Sequence, residues 1–179
     1  MQVVVKKVDS QNVGDAGKCD GVFAADSELV LSFQNGVIIY SVRSVPPYQK
    51  RYPKEEVDFR SYIGNQDKAM YIAYVDGAIA GEIRVRTNWN NFGYVEDLVV
   101  DAGFRRRGVG RALLQNAVEW GVGRGLPGLM LETQNNNVAA CLLYQSCGFE
   151  IGGFDRQLYK GLNPKSEEIA LFWYLIFRG

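Results

Sequence analysis

The chain has 179 residues, 47% of them hydrophobic, enough for one domain with a substantial core and too apolar for a chain that is disordered as a whole. Twenty Lys and Arg against twenty Asp and Glu leave no formal net charge, so no overall field draws the molecule onto nucleic acid or an anionic membrane. Histidine is absent, which excludes Ser-His-Asp and Cys-His nucleophile pairs, histidine metal sites and imidazole bases; any base is a carboxylate, tyrosine, lysine or water.

Val3 to Val8 reads as a short strand and Gly14 to Gly21 as a polar loop. Leu29 to Phe33 and Val37 to Tyr40 flank Asn35-Gly36, a type I′ hairpin signal. Pro46-Pro47 and Pro53 punctuate the next stretch, and Glu55 to Ile63 then has the makings of a short helix stopped by Gly64. From Met70 three strands run in a meander, MYIAYV, AIAGEIRVRT and FGYVEDLVV, with turns at Asp76-Gly77 and Asn88 to Asn91.

Beyond DAGFRRRGVG a helix carries Val109, Leu113, Ala117 and Trp120 on one stripe and ends in the glycines from Gly121 to Gly128. LMLET is a short buried strand, and Asn137 to Cys147 a second helix with Ala140, Leu143, Tyr144 and Cys147 on one side, closed by Gly148-Phe149. FEIGGFDRQLY and IALFWYLIF supply two last strands around the loop Gly161 to Glu168. The expectation is one α/β (α+β) domain over residues 1–179 with a mixed sheet.

Cys19, Cys141 and Cys147 lack the paired spacing of disulfide or zinc frameworks, so a cytoplasmic protein without a metal is expected. No apolar run approaches about 18 residues, so neither export nor a membrane span is expected.

The segment with chemical content runs from Val99-Val100 through a loop into Arg105-Arg106-Arg107-Gly108-Val109-Gly110-Arg111 at a helix start. Unpaired amides at a helix N-terminus, opened by glycines and flanked by arginines, form a receptor for phosphate. A Walker loop is absent, and Leu113 stands where a dinucleotide fingerprint needs its third glycine. The alternative is a solvated arginine turn with glycines that merely allow close packing.

Arg105-x-x-Gly108-x-Gly110, with Asn137-x-x-Ala140-x-x-x-Tyr144-x-x-x-Gly148-Phe149 after it, resembles the GNAT acyltransferase superfamily. The resemblance covers residues 70–160. A finer likeness to the streptothricin acetyltransferases is carried by Ser44 to Lys50, Asn88-Trp89-Asn90, Leu131 to Gln134 with Asn136-Asn137, Gly152 to Asp155, and Phe172 to Tyr174. It implies an acetyl-CoA-dependent enzyme that inactivates that antibiotic by acetylating an amine of its β-lysine arm.

The GNAT resemblance implies a mostly antiparallel central sheet with flanking helices, in which the strand Tyr94 to Val100 splays from Leu129 to Thr133 and the thioester arm lies in the gap. The main chain of Leu98, Val99 and Val100, their side chains in the core, would pair with pantetheine, and Arg105 to Arg111 would hold the diphosphate. Asn137, beside Ala140, would bind pantetheine or cap its helix. Tyr144 would protonate the departing thiolate, since a phenol of pKa about 10 keeps its proton at neutral pH, or else is a packed aromatic.

The amine must also lose a proton. Glu96, on the strand face of Leu98 with Asp97 opposite, is the first choice as base, with Glu82 and Glu132 as alternatives; Glu96 could instead only pair with an arginine across the sheet, such as Arg84. A cationic amine substrate calls for carboxylates and aromatic faces, and Tyr48, Glu82, Trp89, Glu132, Asp155 and Tyr159 are the candidates. Phe172-Trp173-Tyr174 reads as core, and the terminal strand could pair two copies as a homodimer or be an internal strand, which is equally apolar. Another acceptor amine, or an acyl-CoA-binding module without catalysis, are the rival readings; nucleic acid is not expected as a partner.

Overall fold

The meander after residue 68 forms because its turns are built for it. Asp76 and Gly77 both take positive φ, 50° and 83°, the mirror-image turn whose twist matches two right-twisted strands. The computed structural model, which describes residues 2–53 and 55–178, divides into two compact units, each made of separated stretches of chain. One comprises Met1–Val22, Arg51–Leu129 and Ile176–Gly179, the other Phe23–Lys50 and Met130–Leu175.

In the first unit four antiparallel strands run in the order β1 (Val3–Lys7), β4 (Lys68–Val75), β5 (Ala78–Thr87) and β6 (Gly93–Val100). Helix α1 (Val109–Gly123) packs on them through Val109, Leu113, Leu114, Ala117 and Gly121; Trp120, expected on that stripe, is half-buried, with Arg124 over its ring. Residues 55–58 are not helical. One 3₁₀ turn forms at Phe59–Tyr62, started by the Asp58 side chain accepting from the Arg60 amide, which leaves too short a run to nucleate an α-helix.

Gly81 shows how tightly β5 is packed. A Cβ there would lie 2.7 Å from the Val99 carbonyl oxygen and about as close to Val109 and Leu113 as contacts allow. Gly81→Ala is therefore expected to destabilise the protein by about 1–3 kcal/mol, read as a melting temperature lower by several degrees in circular dichroism.

In the second unit β7 (Gly128–Gln134), β9 (Ala170–Ile176) and β8 (Glu150–Asp155) lie in that order, with β8 and β9 antiparallel. β9 is flanked on both sides, so the terminal strand has no free edge on which a second copy could add. Of Phe172, Trp173 and Tyr174, expected in the core, Trp173 is fully buried beside Leu171, while Phe172 and Tyr174 are half-buried. The last stretch of FEIGGFDRQLY is not strand: β8 stops at Asp155, whose carboxylate accepts from the Gln157 and Leu158 amides and starts a 3₁₀ turn at Leu158–Gly161.

The hairpin β2 (Phe23–Gln34) and β3 (Val37–Lys50) is far longer than the two apolar runs suggest. It continues through Pro46-Pro47 because the prolines sit in an irregularity: Ser44 faces Ser27 and Tyr48 faces Ala25, so Val45, Pro46 and Pro47 oppose Asp26 alone and owe the ladder no N–H. Buried Asn135 ties the hairpin in. Its carbonyl accepts from the Leu29 amide, its side chain donates to the Leu29 carbonyl, and its Oδ1 accepts from the Ile169 amide.

Helix α2 (Val138–Ser146) buries Val138, Cys141 and Tyr144, with Ala140, Leu143 and Cys147 only half-buried; the stripe is shifted from the expected one. No helix among the described residues is long and apolar enough to cross a membrane.

Candidate active site

The start of α1 has the character of an anion receptor. Gly108 precedes the helix with φ 81°, a left-handed conformation that a Cβ would strain, and the first-turn amides meet neither a side-chain cap nor an acidic residue. Arg106, Arg107, Gly108 and Arg111 are exposed or half-exposed around it, while Val109 and Gly110 are buried. These residues fit a diphosphate.

Arg105 does something else: its Nε donates to the Val100 carbonyl at 3.2 Å and a terminal nitrogen donates to the Val22 carbonyl. It braces the loop, and its guanidinium is already committed. Leu98, Val99 and Val100, expected in the core, are half-buried.

The carboxylates of β6 depart from the expected alternation. Between Val95, opposite Val85, and Asp97, opposite Arg84, Glu96 is an extra residue, a bulge that breaks the period of two. Asp97 therefore does not take the opposite face. It pairs with Arg84 at 3.3 Å, while Glu96 pairs with Arg86, two residues along the same face of β5, at 3.1 Å. The second Glu96 oxygen accepts from the Tyr62 hydroxyl at 2.6 Å, and burial together with that bond pushes the Tyr62 hydroxyl up to about 12. Burial holds Asp97 above its usual range even though Arg84 opposes it.

Both Glu96 oxygens are thus occupied, by Tyr62 and by an arginine across the sheet, Arg86. Glu82, buried beside this row, accepts from the Gly17 amide at 2.8 Å, and Trp89 projects from its turn 89% exposed.

The second unit holds the other candidates. Asn137 caps α2, its Oδ1 accepting from the Ala140 amide at 3.3 Å. Two turns on, Tyr144 is buried against the rings of Phe149 and Trp173, with centroids 5.9 and 6.2 Å away. On β7, Glu132 accepts a hydrogen bond from the Tyr159 hydroxyl. Burial first, and the nearby Glu168 second, raise its carboxyl to about 7, against the lowering pull of Lys50. A carboxyl in that range suits a base that works at neutral pH.

Beside it lies a cluster to which the sequence alone assigns no role. The Lys50 ammonium donates to Gln134, Asn136 and Glu168, and Asn136 donates to both the Glu168 carboxylate and the Tyr48 hydroxyl at 2.9 Å. The structure thus brings Tyr48, Glu132 and Tyr159 into one neighbourhood and sets Asp155 apart as the cap of its turn. Lys50, Gln134 and Asn136 belong to the segments of finer family likeness, the one signal that marked them; Glu168 had none.

Comparison with known proteins points to one family. Residues 37–149 match the acetyltransferase (GNAT) family. Streptothricin acetyltransferase A of Bacillus subtilis (strain 168) is 37% identical over 175 residues, covering 97% of this chain and all of that protein. A streptothricin acetyltransferase of Escherichia coli is 40% identical over 134 residues, covering 75% of this chain and 74% of its own. A Bacillus anthracis str. Ames protein solved in complex with acetyl coenzyme A superposes with a TM-score of 0.92 at 42% identity, covering 98% of this chain and all of that one.

Proposed function

This chain belongs to the GNAT acetyltransferase family, and on that premise we propose that it transfers the acetyl group of acetyl-CoA directly to an amine of streptothricin, on the β-lysine arm, as one catalytic domain of residues 1–179. The observation that carries the chemistry is the half-buried Glu132 carboxyl, hydrogen-bonded by Tyr159 and held at about 7.

Acetyl-CoA, when bound, supplies an activated acetyl thioester. The residues of this chain bind it and move the protons. Amides and arginines at the start of α1, over residues 106–111, hold the diphosphate, with Arg105 keeping their loop in place. An alkylammonium of pKa about 10.4 is neutral in about one molecule in a few thousand at pH 7, a deficit of about 4–5 kcal/mol, so a proton acceptor at the amine is the central requirement.

Glu132 is that acceptor. It is ionised for about half the time at neutral pH, and Tyr159 orients it. Glu96, with both oxygens engaged, is an anchor of the β5–β6 bulge. Tyr144 holds the proton that the departing sulfur requires. Tyr48 and the Glu132 carboxylate suit a polycationic acceptor.

Release of CoA thiol by the purified protein tests the reading, with acetyl-CoA and, in turn, streptothricin, an aminoglycoside, spermidine and a lysine peptide. Turnover with streptothricin and not with the other three is expected. Turnover confined to another amine would keep the transferase and discard the acceptor.

A further inference from the structure

Resting on Glu132 as proton acceptor, we propose that Lys50 and Glu168 are positioning residues that set the pH range over which Glu132 can take the acceptor's proton. Three separated segments meet at this point: the end of β3, the face of β7 and the loop before β9.

The placement comes from the strand. Glu132 and Gln134 are two residues apart on β7, so their side chains share a face about 7 Å apart. Lys50 is bonded to Gln134, which brings its ammonium alongside Glu132, and Glu168 and Asn136 keep it there. Lys50 and Glu168 side chains are only 14% and 28% exposed, so water screens their charges weakly.

The charged and titratable groups facing Glu132 are the Tyr159 hydroxyl from the 3₁₀ turn, Glu168 from the loop and Lys50 from the hairpin. Their effects oppose one another. The positive charge of Lys50 favours the ionised form of Glu132, and the negative charge of Glu168 favours the protonated form. Burial raises the carboxyl first, and the pair acts on it with opposite signs on top of that. Lys50 touches no reacting atom, and its consequence is a pH limit.

The test is the pH profile of kcat at saturating acetyl-CoA and streptothricin. In Lys50→Met the acid limb should move up by about one pH unit, with about tenfold less activity below both limbs and the alkaline plateau kept. Glu168→Gln should move it down, and Lys50→Arg, which keeps the charge, should leave it near its original position.

Acid limbs of Lys50→Met and Glu168→Gln that coincide with the unmodified protein's overturn the proposal. If Lys50→Met does not fold by circular dichroism, Glu168→Gln decides: a lower limb supports the proposal and an unmoved one overturns it. Glu132→Gln separates the two readings. If that variant keeps both the limb and the plateau, Glu132 is not the acceptor; if it loses them while Lys50→Met shifts nothing, the role of Lys50 alone fails.

Discussion

Glu132→Gln is expected to lower kcat by about 10²- to 10⁴-fold, with the KM for acetyl-CoA changed by no more than about threefold. Glutamine keeps the volume and an oxygen that can accept from Tyr159, so the hydrogen bond and the packing of β7 survive while the proton acceptor is lost. The pH dependence carries its own sign. With the carboxyl at about 7, the active ionised form accumulates as pH rises, so the unmodified protein should gain activity from about pH 6 to about pH 8 and level off above. The variant should show neither the rise nor the plateau. Steady-state kinetics across that range checks both, and a variant that retains full turnover would return the role to another carboxylate.

Tyr144→Phe is expected to reduce kcat by about 10²-fold, again with the acetyl-CoA KM nearly unchanged. The ring is what packs against Phe149 and Trp173, and phenylalanine preserves it, so the fold of α2 should persist. What disappears is the hydroxyl proposed to protonate the sulfur, a transition-state contribution that would show in kcat rather than in binding. Acetyl-CoA binding by calorimetry separates the alternatives. A collapse of affinity with kcat little changed would make Tyr144 a packing residue.

Local signals were legible wherever the chain folds on its neighbours. Asp76-Gly77 and Asn35-Gly36 fixed two hairpins, Asn137 the start of α2, and Gly108 the start of α1, because each of these is decided within a few residues. Other local expectations failed for identifiable reasons, two of them in bulges. Pro46-Pro47 were expected to punctuate the stretch after a strand ending at Tyr40, yet the ladder runs on and bulges where they stand; and counting by twos through Glu96-Asp97 failed because a bulge inserts a residue that no propensity announces. The candidate site was legible in its family motifs and illegible in its electrostatics. Glu132 reached the candidates as one carboxylate among several, and what distinguishes it is first its burial and then the charges of Glu168 and Lys50 and the Tyr159 hydrogen bond, all of them products of folding between residues remote in sequence. Tyr159 itself lies in a 3₁₀ turn where a strand was expected, so even its side of the chain could not be counted.

The hairpin with prolines in its bulge separates two kinds of tolerance to changes in length. At the Asn35-Gly36 tip, added residues lengthen a loop and leave every register below it intact. Between Ser44 and Tyr48 the opposite holds: removing a single residue would turn Tyr48 and Lys50 to the other side of the ribbon, because side chains alternate face by face. Homologues and designed variants of this fold should therefore differ freely in the length of the tip and hold the spacing from Ser44 to Lys50 constant, which makes the tip the place to graft a tag or a label.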